Sequence, residues 1–167
     1  MDRRQLIFCT LVTTFVIFAG LGDGQATEPT TPTPIRWQSD LQAAHRESLR
    51  SNRPVLIVFG AEWCHFCKKL EKESLAHPQI APYINQSFVP LHLDFDESQR
   101  ETEILNVKAI PCVVVLTPQA ELVGRLDGFA TPQKVAEMLT KSTRLQSQIQ
   151  QARYAETARR NTMTPTR

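Results

Sequence analysis

Residues 55–68 read Val55-Leu56-Ile57-Val58-Phe59-Gly60-Ala61-Glu62-Trp63-Cys64-His65-Phe66-Cys67-Lys68, and this stretch decides the fold. Its first five residues are β-branched, aliphatic or aromatic with no polar interruption, the pattern of a short strand buried on both faces. Gly60-Ala61-Glu62 makes the turn out of it. From Lys68 to Ala76 the residues are good helix formers, and Pro78 stops the run. Cys64 is therefore predicted at a helix N-terminus and Cys67 one turn further in. At that spacing two side chains share a helix face, and their sulfurs can close a disulfide.

The position has chemical consequences. Unpaired N–H groups and the positive end of the helix dipole favour a thiolate over a thiol, and the thiolate is the reactive form. Cys64 is the expected attacking thiol, and a protonated His65 beside it would favour the charged sulfur further. Cys67, deeper and less exposed, is the expected resolving thiol. Trp63 is expected to shield the pair and to contact substrate; its plainer reading is core. His65 has an equally plain reading as a polar surface residue at a helix start.

Four cysteines are too few for a disulfide scaffold, and only Cys64 and Cys67 have suggestive spacing. Cys9 falls in an apolar leader. Cys112 opens an apolar strand, where it could trap a disulfide, help hold a metal or pack as a small hydrophobe; packing is the commonest outcome. His45, His77 and His92 are scattered and read as structural or solvated.

Outward from the motif, Arg3 and Arg4 precede an apolar stretch from Leu6 to Leu21 and small residues at Gly24 and Ala26. That is the layout of an export signal over 1–26, cleaved after Ala26. The apolar stretch is shorter than the roughly 20 residues of a spanning helix, so an uncleaved membrane anchor is the secondary reading. The domain is then expected in an oxidising compartment, periplasmic or secreted. Residues 27–34 carry three prolines and four threonines and read as an extended linker. The folded domain is expected over 35–140. Residues 141–167 hold six basic residues and one acid, whereas 27–140 carry a net −3. With one aromatic, Tyr154, and no dense basic run, that tail reads as a solvated extension rather than a nucleic-acid surface, helical over 145–155 and disordered past Arg160.

Between these limits the order of elements is legible. Asp40 to Asn52 is a predicted helix with Leu41, Ala44, Ser48 and Leu49 on one side; Pro54 leads into the first strand. His77 to Asn85 is a short helical piece, and Phe88 to Phe95 a strand with Val89, Leu91, Leu93 and Phe95 on one face. Thr102 to Val107 is a short helix, Cys112 to Leu116 an apolar strand, and Glu121 to Leu126 its hairpin partner. Thr131-Pro132 opens the last helix, with Val135, Met138 and Leu139 as its apolar stripe. Strands joined through helices should be parallel and the final pair antiparallel, giving an α/β mixed central sheet with helices on both faces.

Over about Arg36 to Thr140 the residues resemble the thioredoxin superfamily. Three features carry the likeness: Ala61-Glu62-Trp63-Cys64-His65-Phe66-Cys67-Lys68 after a hydrophobic strand, Ile110-Pro111 before another, and Gly128 between hairpin and last helix. Segments 71–80 and 125–129 are similar to the exported branch typified by the C-terminal periplasmic domain of the transmembrane thiol-disulfide interchange protein. The resemblance implies a three-layer sandwich and a cis Ile110–Pro111 bond beside the dithiol. It also implies an Ile110 backbone free to pair with an extended substrate segment. Taken from the residues alone, Pro111 is equally a trans proline opening a strand.

Two departures stand out. Ordinary thioredoxins have a buried aspartate where this chain has Val58, so Glu62 or a water would have to accept the resolving cysteine's proton. Cys112 stands where threonine is common. The leading expectation is an exported thiol–disulfide oxidoreductase that reduces protein disulfides as a monomer. It would be re-reduced by an upstream thiol donor, which could be membrane-embedded, and would need no cofactor beyond the Cys64–Cys67 disulfide and no metal. The alternatives are a metal-binding or metal-delivery protein using the pair with Cys112 or His65, and a redox-inert binding module on the same fold.

Overall fold

The computed structural model describes residues 34–163; the expected signal and nearly all of the linker lie outside them. Helix α1 spans Leu41–Ser51, capped by the Asp40 carboxylate, which accepts from the Ala43 amide, and ended by Asn52 in the left-handed region (φ 57°). Ala44 and Ser48 of its inner face are buried, but Leu49 points to solvent, one residue outside the stripe assigned to it.

Strand β1 (Val55–Gly60) is buried along its whole length. Its alternate residues feed two cores: Leu56 and Val58 on one face, Val55, Ile57 and Phe59 on the other. Strand β2 (Val89–Asp94) pairs parallel to β1, with Val58 opposite His92 and Gly60 opposite Asp94. Strand β3 (Cys112–Leu116) pairs antiparallel with β1 on its other side, and β4 (Leu122–Asp127) closes the sheet antiparallel to β3, for an order β2-β1-β3-β4. The expectation that helix-joined strands run parallel therefore holds for β1 and β2 and fails for β3. The connection through α4 (Gln99–Ile104) carries the chain across to the far side of β1 rather than beside β2.

Helix α2 (His65–Lys69) runs into a wider π-helical turn, Leu70–Leu75, instead of one regular helix to Ala76. In this turn Leu70, Ser74 and Leu75 are all buried, and the Ser74 hydroxyl donates to Ala130 O at 2.6 Å. Together with α3 (Ile80–Ser87) and α5 (Pro132–Met163) it covers the face holding Leu56 and Val58; α1 and α4 flank the other. The result is an α/β sandwich of three layers.

Helix α3 starts at Ile80, three residues after the His77 expected from sequence, and two further boundaries differ. Helix α4 lies three residues earlier than Thr102–Val107, because Asn106 (φ 51°) ends it and returns Leu105 and Val107 to the core. Helix α5 runs without interruption past both Thr140 and Arg160 to Met163. Its packed side continues beyond Thr140 through the buried Ser142 and Gln146, and Gln146 Nε2 donates to Asn52 O at 2.9 Å. The α1 cap thus docks residues assigned from sequence to a solvated tail.

Candidate active site

The turn after β1 delivers Cys64 to the first helical position that still lacks an intrahelical partner. Cys64 N donates to Ala61 O (3.0 Å), Cys64 takes extended backbone geometry, and the Cys67 amide donates to Cys64 Sγ at 3.1 Å. The sulfur is therefore itself the helix cap. Cys64 and Cys67 are joined, with S–S 2.04 Å and Cα–Cα 5.3 Å. Cys67 is 2% exposed and Cys64 5%, so the thiol expected to attack lies just under the surface rather than well out in solvent. What stands out beside it is aromatic: Trp63 is 68% and Phe66 58% exposed.

Trp63 is pinned by its indole N–H, which donates to Asp96 Oδ2 at 2.7 Å, a partner on the β2–α4 connection that the sequence reading did not single out. The Ile110–Pro111 bond is cis, and Ile110 packs against Ala61, Cys64 and Cys67. That loop is held from two sides. Gly128 N donates to Pro111 O at 2.8 Å, in a backbone conformation (φ 79°) open to glycine. Arg125 Nη1 and Nη2 donate to Leu105 O (2.7 Å) and Asn106 O (3.0 Å), while Nε grips both Asp127 oxygens at 3.0 Å. The Arg125 guanidinium holds the Asp127 carboxyl below the usual aspartate range. Arg125 too was not singled out; its sequence signals are its place in the 125–129 segment similar to the exported branch and its position two before an acid on an edge strand.

Cys112 is fully buried with the core on the α1 and α4 side of the sheet. Its thiol donates to Asp127 Oδ1 at 3.3 Å, and burial, helped by that carboxylate, pushes it up to about 12. It packs as a small hydrophobe and does not join the dithiol. Among the described residues no three His, Cys, Asp or Glu side chains converge as metal ligands. His65 is exposed, its ring edge-on to Phe66 at 5.7 Å. Glu62 is exposed on the turn, while Cys67 is buried against the sheet. A groove of about 670 Å³ opens elsewhere, lined by Leu41, His45, Arg100 and Ile104, and neither cysteine of the disulfide, Trp63, Ile110 nor Pro111 borders it.

A disulfide caps a helix after the first central strand, faced by a cis-proline loop and flanked by exposed aromatics. A thioredoxin-like family model matches residues 36–118, and the chain carries a domain of the thioredoxin superfamily. It is 30% identical over 115 residues to the thiol:disulfide interchange protein DsbD of Vibrio cholerae, covering 65% of this chain and 19% of that protein. With the thioredoxin-related protein DsbJ of Chlamydia pneumoniae it shares 22% over 141 residues, 77% of this chain and 40% of the relative. The solved DsbH oxidoreductase superposes with TM-score 0.64 at 16% identity, covering 76% of this chain and 96% of that one. The chain thus spans less than half the length of these two curated relatives. Fold, relatives and CxxC pair together support thiol–disulfide oxidoreductase chemistry in general.

Proposed function

We propose that the protein is an exported thiol–disulfide oxidoreductase that reduces disulfides in other proteins. The observation that carries this reading is the Cys64 sulfur at a helix cap, accepting from the Cys67 amide and linked to Cys67. In the reduced state the same amide and the helix end favour a Cys64 thiolate. That thiolate attacks one sulfur of a substrate disulfide; the other sulfur leaves as a thiolate and takes a proton. Cys67 then loses its proton and attacks Cys64 Sγ, and the second substrate sulfur leaves. Two electrons pass from the dithiol to the substrate, and the enzyme is left in the disulfide form. A thiol donor upstream restores the dithiol.

Trp63, Ile110 and Pro111 are the substrate-contacting surface in this reading, with the Ile110 backbone pairing with an extended segment. His65 and Glu62 modulate the rim, and Cys112 stays a packed thiol. Export rests on the leader pattern; among the described residues no helix is long and apolar enough to cross a membrane.

Turbidity from insulin reduction tests the activity: the wild-type chain should catalyse it and Cys64→Ser should not. Equilibration with glutathione tests the direction, since a strongly oxidising potential would overturn the reductase assignment. A Cys67→Ser chain should stall as a mixed disulfide at Cys64 and so retain its client.

A further inference from the structure

Resolution of a mixed disulfide needs Cys67 as a thiolate, yet Cys67 is almost fully buried and β1 brings only Leu56, Val58 and Gly60 to that side of the sheet, none of them able to take a proton. Some group must take its proton. The missing side chain at Gly60 supplies the answer. A Cβ placed on Gly60 would lie 3.1 Å from His92 Nε2 and 3.5 Å from Cys67 Cβ. The imidazole and the resolving cysteine therefore face the same small space, which only glycine leaves open between them. His92 reaches it because the parallel register sets it opposite Val58, on the sheet face shared with Cys67.

A carboxylate stands beside the ring, where it meets the charge the imidazole gains. Nε2 lies 3.0 Å from Glu71 Oε1, on the helical segment that carries Cys67, and the edge of Trp37 meets the ring at 5.9 Å. The His92 and Glu71 side chains are 33% and 39% exposed, so the pair spans the distance from a buried thiol to solvent.

We propose that His92, whose imidazolium Glu71 stabilises, accepts the proton of Cys67 during resolution. This rests on the oxidoreductase reading and deepens it. In the reduced form the neutral ring carries its N–H on Nδ1; the proton leaves Cys67 Sγ for the free Nε2, and the electron pair left on sulfur forms the bond to Cys64 Sγ as the Cys64–substrate bond breaks. The imidazolium then donates Nε2–H to Glu71, the contact seen in the disulfide form, and returns its proton to solvent or to the departing thiolate. The arrangement replaces Glu62 as the acceptor. Charged groups around the ring besides Glu71 are Lys68 and Lys72 on the same helical segment, which line the adjoining surface with Trp37, and Asp94 on the same face of β2. Val58 and Gly60 of β1 add no charge.

A chromogenic aryl disulfide reads both steps in one trace, in the full reduced chain with Cys9 replaced by serine. The first burst of aryl thiolate reports attack by Cys64, and the second reports resolution by Cys67. The expected result is that His92→Gln leaves the first phase within about twofold at pH 7. The second slows about a hundredfold, the scale of general-base catalysis, and the inflection in its pH profile disappears. Glu71→Gln, which removes the carboxylate facing the imidazolium, should slow the second phase and spare the first. Gly60→Ala, whose methyl group fills the shared space while keeping His92, should slow the second phase alone and keeps the test open if His92→Gln does not fold. Second phases unchanged in rate and pH profile, or first and second phases slowed together, would overturn the inference and leave the oxidoreductase reading intact. A wild-type chain that shows no second phase would overturn that reading itself.

Discussion

Raising the pH should expose Cys112 as a hidden acid. The thiol is fully buried beside Asp127, and its ionisation is pushed from an ordinary 9.0 up to about 12. A group whose folded value is raised contributes stability below its unfolded value and loses it as pH climbs toward the folded one. Here the window runs from about 9 to about 12. Between pH 7 and pH 10 the unfolded chain ionises this thiol while the folded chain does not. The difference is worth about 1.4 kcal/mol, from one unit of pH above the unfolded value at 1.36 kcal/mol per unit. Cys112→Val keeps the volume of the apolar core and removes the titration. Other groups titrate in the same range in both proteins, so the comparison of slopes isolates the cysteine. Urea unfolding of the disulfide form at pH 7 and pH 10 should show wild type losing about 1.4 kcal/mol more than the variant. Equal losses would refute the account of Cys112 as a buried, acid-paired thiol. A fast reaction of Cys112 with iodoacetamide in the folded protein at pH 8 would refute it as well.

Two further changes test how the cis-proline loop and the sheet are held. Arg125→Met deletes the guanidinium contacts to Leu105 O, Asn106 O and Asp127; it should cost about 2 kcal/mol by urea unfolding and raise KM for a protein disulfide more than it lowers kcat. In the same variant Asp127 should lose its depressed ionisation. The stability that this carboxylate holds above its unfolded value, and gives up as pH falls through its lower folded one, should then flatten in an acid titration. Gly124→Ala places a methyl group 2.1 Å from Ser142 Oγ and 2.9 Å from Met138 Sδ, where α5 lies on β4. Overpacking there should cost about 1–3 kcal/mol and lower the melting temperature without changing the rate of the Cys64 step.

The residues by themselves determined whatever depends on neighbours in the chain. An unbroken apolar run, a turn, and two cysteines at the start of good helix formers are enough to set β1, α2 and the capping sulfur, because strand burial, helix caps and i to i+3 spacing are local. The outer ends of elements were less legible. Asn106 in the left-handed region moved α4, and the docking of Gln146 on Asn52 made part of an apparent tail into packed helix. Only the tertiary structure could decide what depends on strand order and register. The antiparallel entry of β3 beside β1 puts Cys112 on the sheet face away from Cys67. The parallel register of β2 sets His92, which reads as an unremarkable histidine, across from Val58 and over Gly60. Such contacts join residues more than twenty apart, and hydrophobic alternation fixes which face a side chain takes but not which strand it meets there.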